Sequence, residues 1–497
     1  MTSVRRALAL SLVERYLTLA IGLGSNMVLA RLLTPDQIGV YSVSLAVIGL
    51  AQALRDFGVG SYLIQEKVVD DEQIGSAFSI SLLIGALLFV VALVATPWAA
   101  SYYGEPRMQT TLMLGAGNFL LMPFCTISLS LLRREMQFKR LLHITLVAAA
   151  LGSATSIGLA ALGMGETSLA LGSLVTNAAT GVGAWLAQPS HRLPRLTLSR
   201  WRQVLSFGGR SSLVGCVTSI SMDANDLIVG KVLGFHAVAL LSRAQGLMYL
   251  FNRDLMSAVR NVALPAFAQA HRDGVDLEQG YLRSVSIVTL FGWPFHGLIS
   301  CYAIEVIDLL FGRQWHAAAP LVPIFCAAGA FAAVNALTPN LLVAVGRIDL
   351  ATRADLLMQP LRVLMILIAA IWFRTVQACA VAFMLSALVS LPVFWWFKNQ
   401  VLEDDRPKLL EMLLLNILIT AATLLPALVQ CLWAGFDRSH PLALYAWLPT
   451  AALGVAAGVL TAWYLRHPLA QEALVQRSLG PWLHRIPVAR WRRSATY

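Results

Sequence analysis

Apolar runs of membrane-spanning length recur from one end of the chain to the other. They fall at residues 10–30, 38–57, 74–98, 111–131, 141–162, 167–187, 205–229, 235–260, 284–304, 319–344, 355–373, 376–396, 409–432 and 442–464. A hydrocarbon core about 30 Å thick takes about 20 helical residues, so the pattern predicts about fourteen transmembrane helices. The residues between the runs have turn chemistry: Thr34-Pro35-Asp36, Gly104-Glu105-Pro106, Gly163-Met164-Gly165, Pro189 to Pro194, Asp404-Asp405-Arg406-Pro407 and Ser439-His440-Pro441. These connections are short and leave no room for a sizeable soluble domain.

Composition agrees. Of 497 residues, 58% are apolar and 13% charged, against about 25% charged in an ordinary soluble domain. That excludes a soluble globular protein, and the apolar content excludes disorder. The net charge of +11 would suggest nucleic acid in a soluble chain; here it follows the positive-inside rule. Of the 37 basic residues, 25 fall in one set of alternate connections and six in the other. The richer set includes Arg5 and Arg6, Arg133 to Arg140, Arg192 to Arg202 and the tail from Arg466 to Arg493. This bias places both termini in the cytoplasm. The opening MTSVRRALALSLVERY resembles the start of a signal peptide. Glu14 and Arg15 interrupt it and no small-residue cleavage site follows, so a retained first helix is expected.

The chain repeats itself weakly. Arg31, Leu33 and Ser42 pair with Lys231, Leu233 and Ser242 at an offset of 200. Arg55-Asp56 is echoed by Arg253-Asp254, and Tyr103-Gly104-Glu105 by Phe311-Gly312-Arg313. The expected organisation is an N-lobe at 1–200, a C-lobe at 201–400, two further helices at 401–466 and a basic cytoplasmic tail at 467–497. Two pseudo-symmetric six-helix lobes are a common transporter plan, with substrate at the lobe interface.

No catalytic constellation is present. There is no P-loop, no H-E-x-x-H and no G-x-S-x-G. The six cysteines are scattered, without a CxxC pair. Neither a metal site nor a cofactor is expected. His143, His236, His296 and His316 sit near helix ends and read as interfacial histidines. The informative residues are charges inside spans, each costing at least ~2.5–3.5 kcal/mol to insert. Glu14 and Arg15 lie on the first helix. On the seventh, Ser212, Cys216, Ser219, Asp223, Asp226 and Gly230 form one stripe at helical spacing. The eighth carries Arg243, Arg253 and Arg260, and the eleventh Arg362. Arg31 and Arg260 also fit a snorkelling role at helix ends. Asp223 and Asp226 also fit structural partnership with Arg210 or Arg243, and small-residue stripes also serve helix packing. Taken together, the charges predict a water-filled, mainly cationic central cavity. Arginine forks match phosphate oxygens, so an anionic substrate is expected.

The segment Leu29 to Tyr41 (LARLLTPDQIGVY) resembles the opening of the polysaccharide transporter family. These are the Wzx-type lipid-linked oligosaccharide flippases of the multidrug/oligosaccharidyl-lipid/polysaccharide (MOP) exporter superfamily. The resemblance continues through Asp56 to Gly60, Tyr103 to Pro106, Leu131 to Arg140, Asp226 to Gly230, Ser242-Arg243-Ala244, Pro265-Ala266 and Phe311 to Trp315, covering roughly residues 1–350. One departure is Ala239-Leu-Leu241, where the family often has Gly-x-Tyr. The resemblance implies an all-α integral membrane fold with two lobes. It implies alternating-access flipping of undecaprenyl-pyrophosphate-linked oligosaccharide units across a bacterial inner membrane, for exopolysaccharide, capsule or lipopolysaccharide (O-antigen) synthesis. Partners would be the lipid-linked substrate, membrane lipids, and, in the widest reading, a polymerase and co-polymerase of the pathway; no nucleic acid is expected. Mapped onto this chain, Arg15, Arg31, Arg210, Arg243, Arg253, Arg260 and Arg362 are candidates to contact pyrophosphate or acidic sugars. Glu14, Asp223 and Asp226 are candidates for ion coupling or gating. A lipid II flippase and a multidrug antiporter of the same superfamily remain open. A membrane polymerase or ligase fits less well, because it would need a large periplasmic loop.

Overall fold

A computed structural model describes residues 2–55, 59–66, 69–187, 196–202, 221–403, 405–435, 438 and 440–471. The described residues are helical with short connections and contain no β-strand. Ten helical stretches among them are long and apolar enough to cross a membrane: Asp71–Tyr103, Arg107–Arg134, Phe138–Ala161, Glu166–Leu186, Leu277–Cys301, Arg313–Ala344, Ile348–Trp372, Val376–Lys398, Arg406–Ala434 and Leu444–Tyr464. They fall at ten of the fourteen expected positions. The other four expected spans are not among these ten. Two are the helices α1 (Thr2–Leu32) and α2 (Pro35–Arg55). The span expected at 205–229 is described only from residue 221, as a helix over 221–232, here α9. The last is α10 (Phe235–Tyr249), followed by a π-helical turn at Leu250–Leu255 and then α11 (Met256–Arg272).

The chain forms two compact units. The first comprises Met1–Leu240, Leu310–Gln314 and Gln359–Cys379; the second comprises Leu241–Leu309, Trp315–Met358 and Ala380–Tyr497.

In the first unit, α2 starts with Thr34 and Gln37 capping each other: Gln37 N–H donates to Thr34 Oγ1 (3.3 Å) and Thr34 N–H to Gln37 Oε1 (2.9 Å). Helix α3 (Val59–Gln65) is a short segment leading to α4 (Asp71–Tyr103), which runs for 33 residues. A capping box at Asp70 and Gln73 opens α4, and Gly104 in a left-handed conformation (φ 72°) closes it. Beyond it, Arg107 hydrogen-bonds Glu105 (2.9 Å) and holds that carboxyl below the usual range. Helices α5 (Arg107–Ala116), α6 (Asn118–Arg134), α7 (Phe138–Ala161) and α8 (Glu166–Leu186) complete the described part of the bundle. α7 and α8 cross at glycines. A Cβ on Gly152 would stand 2.8 Å from Gly172 O, and one on Gly172 2.9 Å from Gly152 O, the close small-residue packing common in membranes. Asn177 Nδ2 donates to Asn118 Oδ1 (2.6 Å) and ties α8 to α6.

In the second unit, α12 (Leu277–Cys301) packs against α14 (Val322–Asn335) and α18 (Arg406–Ala434), and α18 against α19 (Leu444–Tyr464). Asn416 of α18 donates to Thr289 Oγ1 (2.7 Å) and Ser286 O (2.9 Å) of α12. Lys398, at the end of α17 (Val376–Lys398), is completely buried. Its ammonium donates to Glu278 (2.8 and 2.9 Å) and Glu403 O (2.8 Å) and lies 4.1 Å from the Trp395 ring centre. A charge buried this way persists because every proton finds a partner. Chain connection is shared: α10, α16 (Ile348–Trp372) and α17 are each divided between the units.

Candidate functional site

Each unit gathers its own subset of the candidate charges. In the first, α9 presents Asp223 and Asp226 one turn apart, as the spacing predicts. Asp223 lies hard against α2: a Cβ built on Gly49 would collide with its carboxylate (2.1 Å from Oδ2). Gly49 is therefore the residue that makes room for this acid. Arg362 of α16 donates to Ser221 O (3.3 Å) and Gln359 Oε1 (2.5 Å), which brings its guanidinium to the helix that carries Asp223 and Asp226. Glu14 of α1 is half-buried and accepts from Thr145 Oγ1 of α7 (3.0 Å), whereas Arg15 beside it is exposed. Arg31 stands in the last turn of α1, next to the turn at Gly312 (φ 95°). Gln314 of the same turn donates to Ala30 O and to Leu33 O (3.1 Å), closing the carbonyl end of α1. Arg210 lies outside the described residues.

In the second unit the π turn is the centre. Its i→i+5 ladder inserts an extra residue and re-aims the side chains that follow. The seven-residue spacing of Arg253 and Arg260, which on a regular α-helix would place both on one face, therefore does not carry across the turn unchanged. Arg260 reaches back to it instead, donating to Asn252 O (3.0 Å) and Arg253 O (3.4 Å). Arg253 has a side chain 62% exposed, pairs with the buried Asp254 (3.1 Å) and lies 5.5 Å from the Tyr249 ring centre. Arg243, in α10, stacks 4.7 Å over Trp315. A planar guanidinium stacked on an indole face is attracted by the ring and held in orientation by it.

Three of these residues had no place in the sequence-based site. Asp254 was visible as half of the Arg253-Asp254 repeat, and its role as the partner was not. Trp315 came only as part of a motif. His296, expected at an interface, is 2% exposed in the core of α12, and helix periodicity does not foretell which buried neighbours a side chain meets.

The first unit also contains a largely apolar cleft of 320 Å³ among α4, α6 and α8, lined by Phe78, Phe124, Ile127, Asn177, Val182 and Trp185 among others; none of the candidate charges lines it. It fits an apolar chain and not a phosphate.

The helical fold is similar to those of a lipid II flippase and of a multidrug transporter of the MOP superfamily. The structure superposes on the lipid II flippase MurJ in its inward closed conformation with a TM-score of 0.74 at 12% identity, covering 93% of this chain and all of that one. An inward-facing multidrug resistance MATE family transporter of the same superfamily gives a TM-score of 0.65 at 16% identity, over 77% of this chain and 94% of that one. Residues 28–320 match the family of polysaccharide biosynthesis proteins, and the chain belongs to that family. Among curated relatives, the lipopolysaccharide biosynthesis protein WzxC of Escherichia coli (strain K12) is 23% identical over 69% of this chain and 70% of its own length. The teichuronic acid biosynthesis protein TuaB of Bacillus subtilis (strain 168) is 23% identical over 75% of this chain and 77% of its own.

Proposed function

We propose that this chain flips lipid-linked oligosaccharide repeat units from the cytoplasmic to the periplasmic leaflet of a bacterial inner membrane, supplying polysaccharide synthesis. The carrier is undecaprenyl pyrophosphate, and the protein works by alternating access through a cationic, water-filled cavity. The observation that carries this reading is the arginine set held on family-matched helices: Arg243 on Trp315, and Arg253 and Arg260 at the π turn. A pyrophosphate suits such forks, and an organic cation does not, which weighs against a multidrug antiporter. The relatives' names attach to two different polymers, lipopolysaccharide and teichuronic acid. What the names share is biosynthesis of a polysaccharide and not one sugar. The proposed organisation is two six-helix lobes at 1–200 and 201–400, with both termini cytoplasmic and with polymerase and co-polymerase as neighbours in the pathway.

The test is reconstitution. Purified protein in vesicles is given a fluorescent undecaprenyl-pyrophosphate oligosaccharide, and accessibility to an external quencher is followed. Protein-dependent loss of inner-leaflet label supports the reading. Flipping of lipid II in place of the oligosaccharide would redirect it to the peptidoglycan precursor, and no movement of either would overturn it.

A further inference from the structure

The apolar cleft of the first unit has no part in the transport proposed above, since none of the candidate charges among the described residues lines it. Its walls are membrane spans: α4 supplies Phe78, α6 supplies Phe124 and Ile127, and α8 supplies Val182 and Trp185. Phe124, Val182 and Trp185 are exposed. The cleft therefore opens on the outside of the bundle, where a span meets hydrocarbon. At 320 Å³ it falls at the small end of ligand sites, which run from about 300 to about 1,000 Å³. Only Ser128 and Asn177 bring side-chain hydroxyl or amide groups to it, and Asn177 Nδ2 is already given to Asn118 Oδ1 (2.6 Å). A sugar or a nucleotide would lose most of its hydrogen bonds in such a space. A hydrocarbon chain would lose none.

The helices around the cleft differ at their two ends. Trp185 is the last residue but one of α8, and just beyond it Ala187 O accepts from Arg140 Nη1 (2.6 Å). That bond uses one of the five donors of an exposed guanidinium. α6 ends at the same level in Arg133 and Arg134, and Lys139 follows in the first turn of α7; Arg133 and Lys139 are exposed. Arg134 points away, toward Leu63 O (2.9 Å) and Glu66 O (2.6 Å) near the start of α4. Acids are present at this end too. Glu135 accepts from Gln137, Asp70 and Glu72 lie 3.4 and 3.8 Å from Arg200, and Asp71 is exposed on α4. Around the end of α8 itself the balance is positive, with Arg133, Lys139 and Arg140 against Glu135. At the opposite end Arg107 is paired with Glu105 (2.9 Å), and α8 opens on the buried carboxylate Glu166.

A chain-shaped apolar space with cations past one mouth only matches an amphiphile that carries one negative head. A bilayer supplies such molecules in bulk and sets their phosphates at the level where spans end. Basic residues between spans attract anionic head groups there. We propose that the α4–α6–α8 cleft is a binding site for an acidic phospholipid, with one acyl chain filling the cleft and the phosphate held by Arg140 at the end of α8. The carrier of the transported unit is a different lipid with a different place, because its pyrophosphate is assigned above to Arg243, Arg253 and Arg260. The phospholipid site stands whatever the protein transports.

The experiment is photolabelling of the purified full-length protein in phosphatidylcholine nanodiscs, without substrate. One sample carries a small fraction of phosphatidylglycerol with a diazirine in one acyl chain, and a second carries phosphatidylcholine labelled in the same way. Mass spectrometry then locates the label. The phosphatidylglycerol probe should mark residues 121–128 and 177–185 above every other lipid-facing segment, and more strongly than the phosphatidylcholine probe does. Val182→Trp, which fills the mouth from an exposed position, should remove that labelling. Arg140→Gln should lower the preference for phosphatidylglycerol about fivefold, the worth of one basic residue at an anionic lipid surface. Label spread evenly over the spans, or equal marking of the cleft by the two probes, overturns the proposal. So does label displaced by undecaprenyl phosphate and not by unlabelled phosphatidylglycerol, which would give the cleft to the carrier lipid. Should V182W fail to insert, R140Q decides alone, and an unchanged preference overturns it.

Discussion

Arg253 combines high exposure with a buried partner, and this makes it the most direct test of the substrate site. Its guanidinium is mostly uncovered, so Arg253→Ala removes a ligand contact with little loss of packing. The charge left on buried Asp254 costs some stability, and Arg253→Lys restores charge without the fork. The expectation is a loss of oligosaccharide flipping of about 10- to 100-fold in Arg253→Ala, the worth of one charge-assisted hydrogen bond, with little rescue by Lys. Arg15→Ala, at an exposed position on α1, should behave in the same way. Wild-type polymer yield with normal membrane insertion would remove either residue from the site. His467 is a different kind of residue. Its Nδ1 accepts from Leu469 N–H (3.2 Å), which leaves Nε2 to donate to Ser286 Oγ (2.9 Å). Burial pushes its pKa down from 6.5 to about 4. Between those values the unfolded chain binds more protons than the folded one, so stability is complete above about pH 6.5 and falls as the pH drops toward 4. Thermal unfolding of His467→Gln should lose much of that acid sensitivity.

At the scale of the element, the long apolar helices were legible because twenty apolar residues in a row have few other uses. Their starts were legible too, since Thr34, Asp70 and Asp405 stand where side-chain caps are needed. The π turn was not legible. One additional residue within a continuous helix leaves hydrophobic periodicity almost unchanged, and the polar run Asn252-Arg253-Asp254 reads as an ordinary charged face. For the same reason nothing in the spacing of Arg253 and Arg260 foretells that Arg260 holds the backbone of the turn. By its place in the sequence, at the end of an apolar run, Lys398 reads as a topological charge, and the structure gives it a structural task in joining α17 to α12. Breaking a buried pair leaves a charge uncompensated, so Lys398→Ala or Glu278→Ala should each cost about 3–5 kcal/mol. The double variant should cost less than the sum, and a thermal-unfolding double-mutant cycle measures the difference. At the α7–α8 crossing, Gly152→Leu should destabilise the first unit strongly, because the opposing surface is Gly172 backbone.

For the whole molecule, family and fold followed from ordered short motifs over the first two thirds of the chain, which is also where the family match falls. The candidate site was legible as a set of residues and not as an arrangement. Charges in spans are conspicuous one at a time, but their partners, Thr145, Trp315, Gln359 and Asp254, come from distant or unremarkable positions. The charge of the substrate carries an energetic consequence. Each elementary charge crossing 100 mV is worth about 2.3 kcal/mol, and outward movement of an anionic headgroup from a negative interior is downhill. An imposed potential, inside negative, should therefore accelerate flipping in vesicles without any ion gradient. Indifference to the potential combined with dependence on a proton or sodium gradient would contradict this. Finally, α4 at 33 residues is about 50 Å long, whereas the bilayer with its headgroups spans about 40–45 Å. One end carries Asp70, Asp71 and Glu72, and the other carries exposed Trp98 and Tyr102, residues at home in the interface. A rod with more length than its surroundings need can lean further when the membrane thins and stand straighter when it thickens. The first unit is thereby fitted to membranes of differing lipid chain length, with tilt absorbing the mismatch that a shorter helix would have to meet by deforming the lipid.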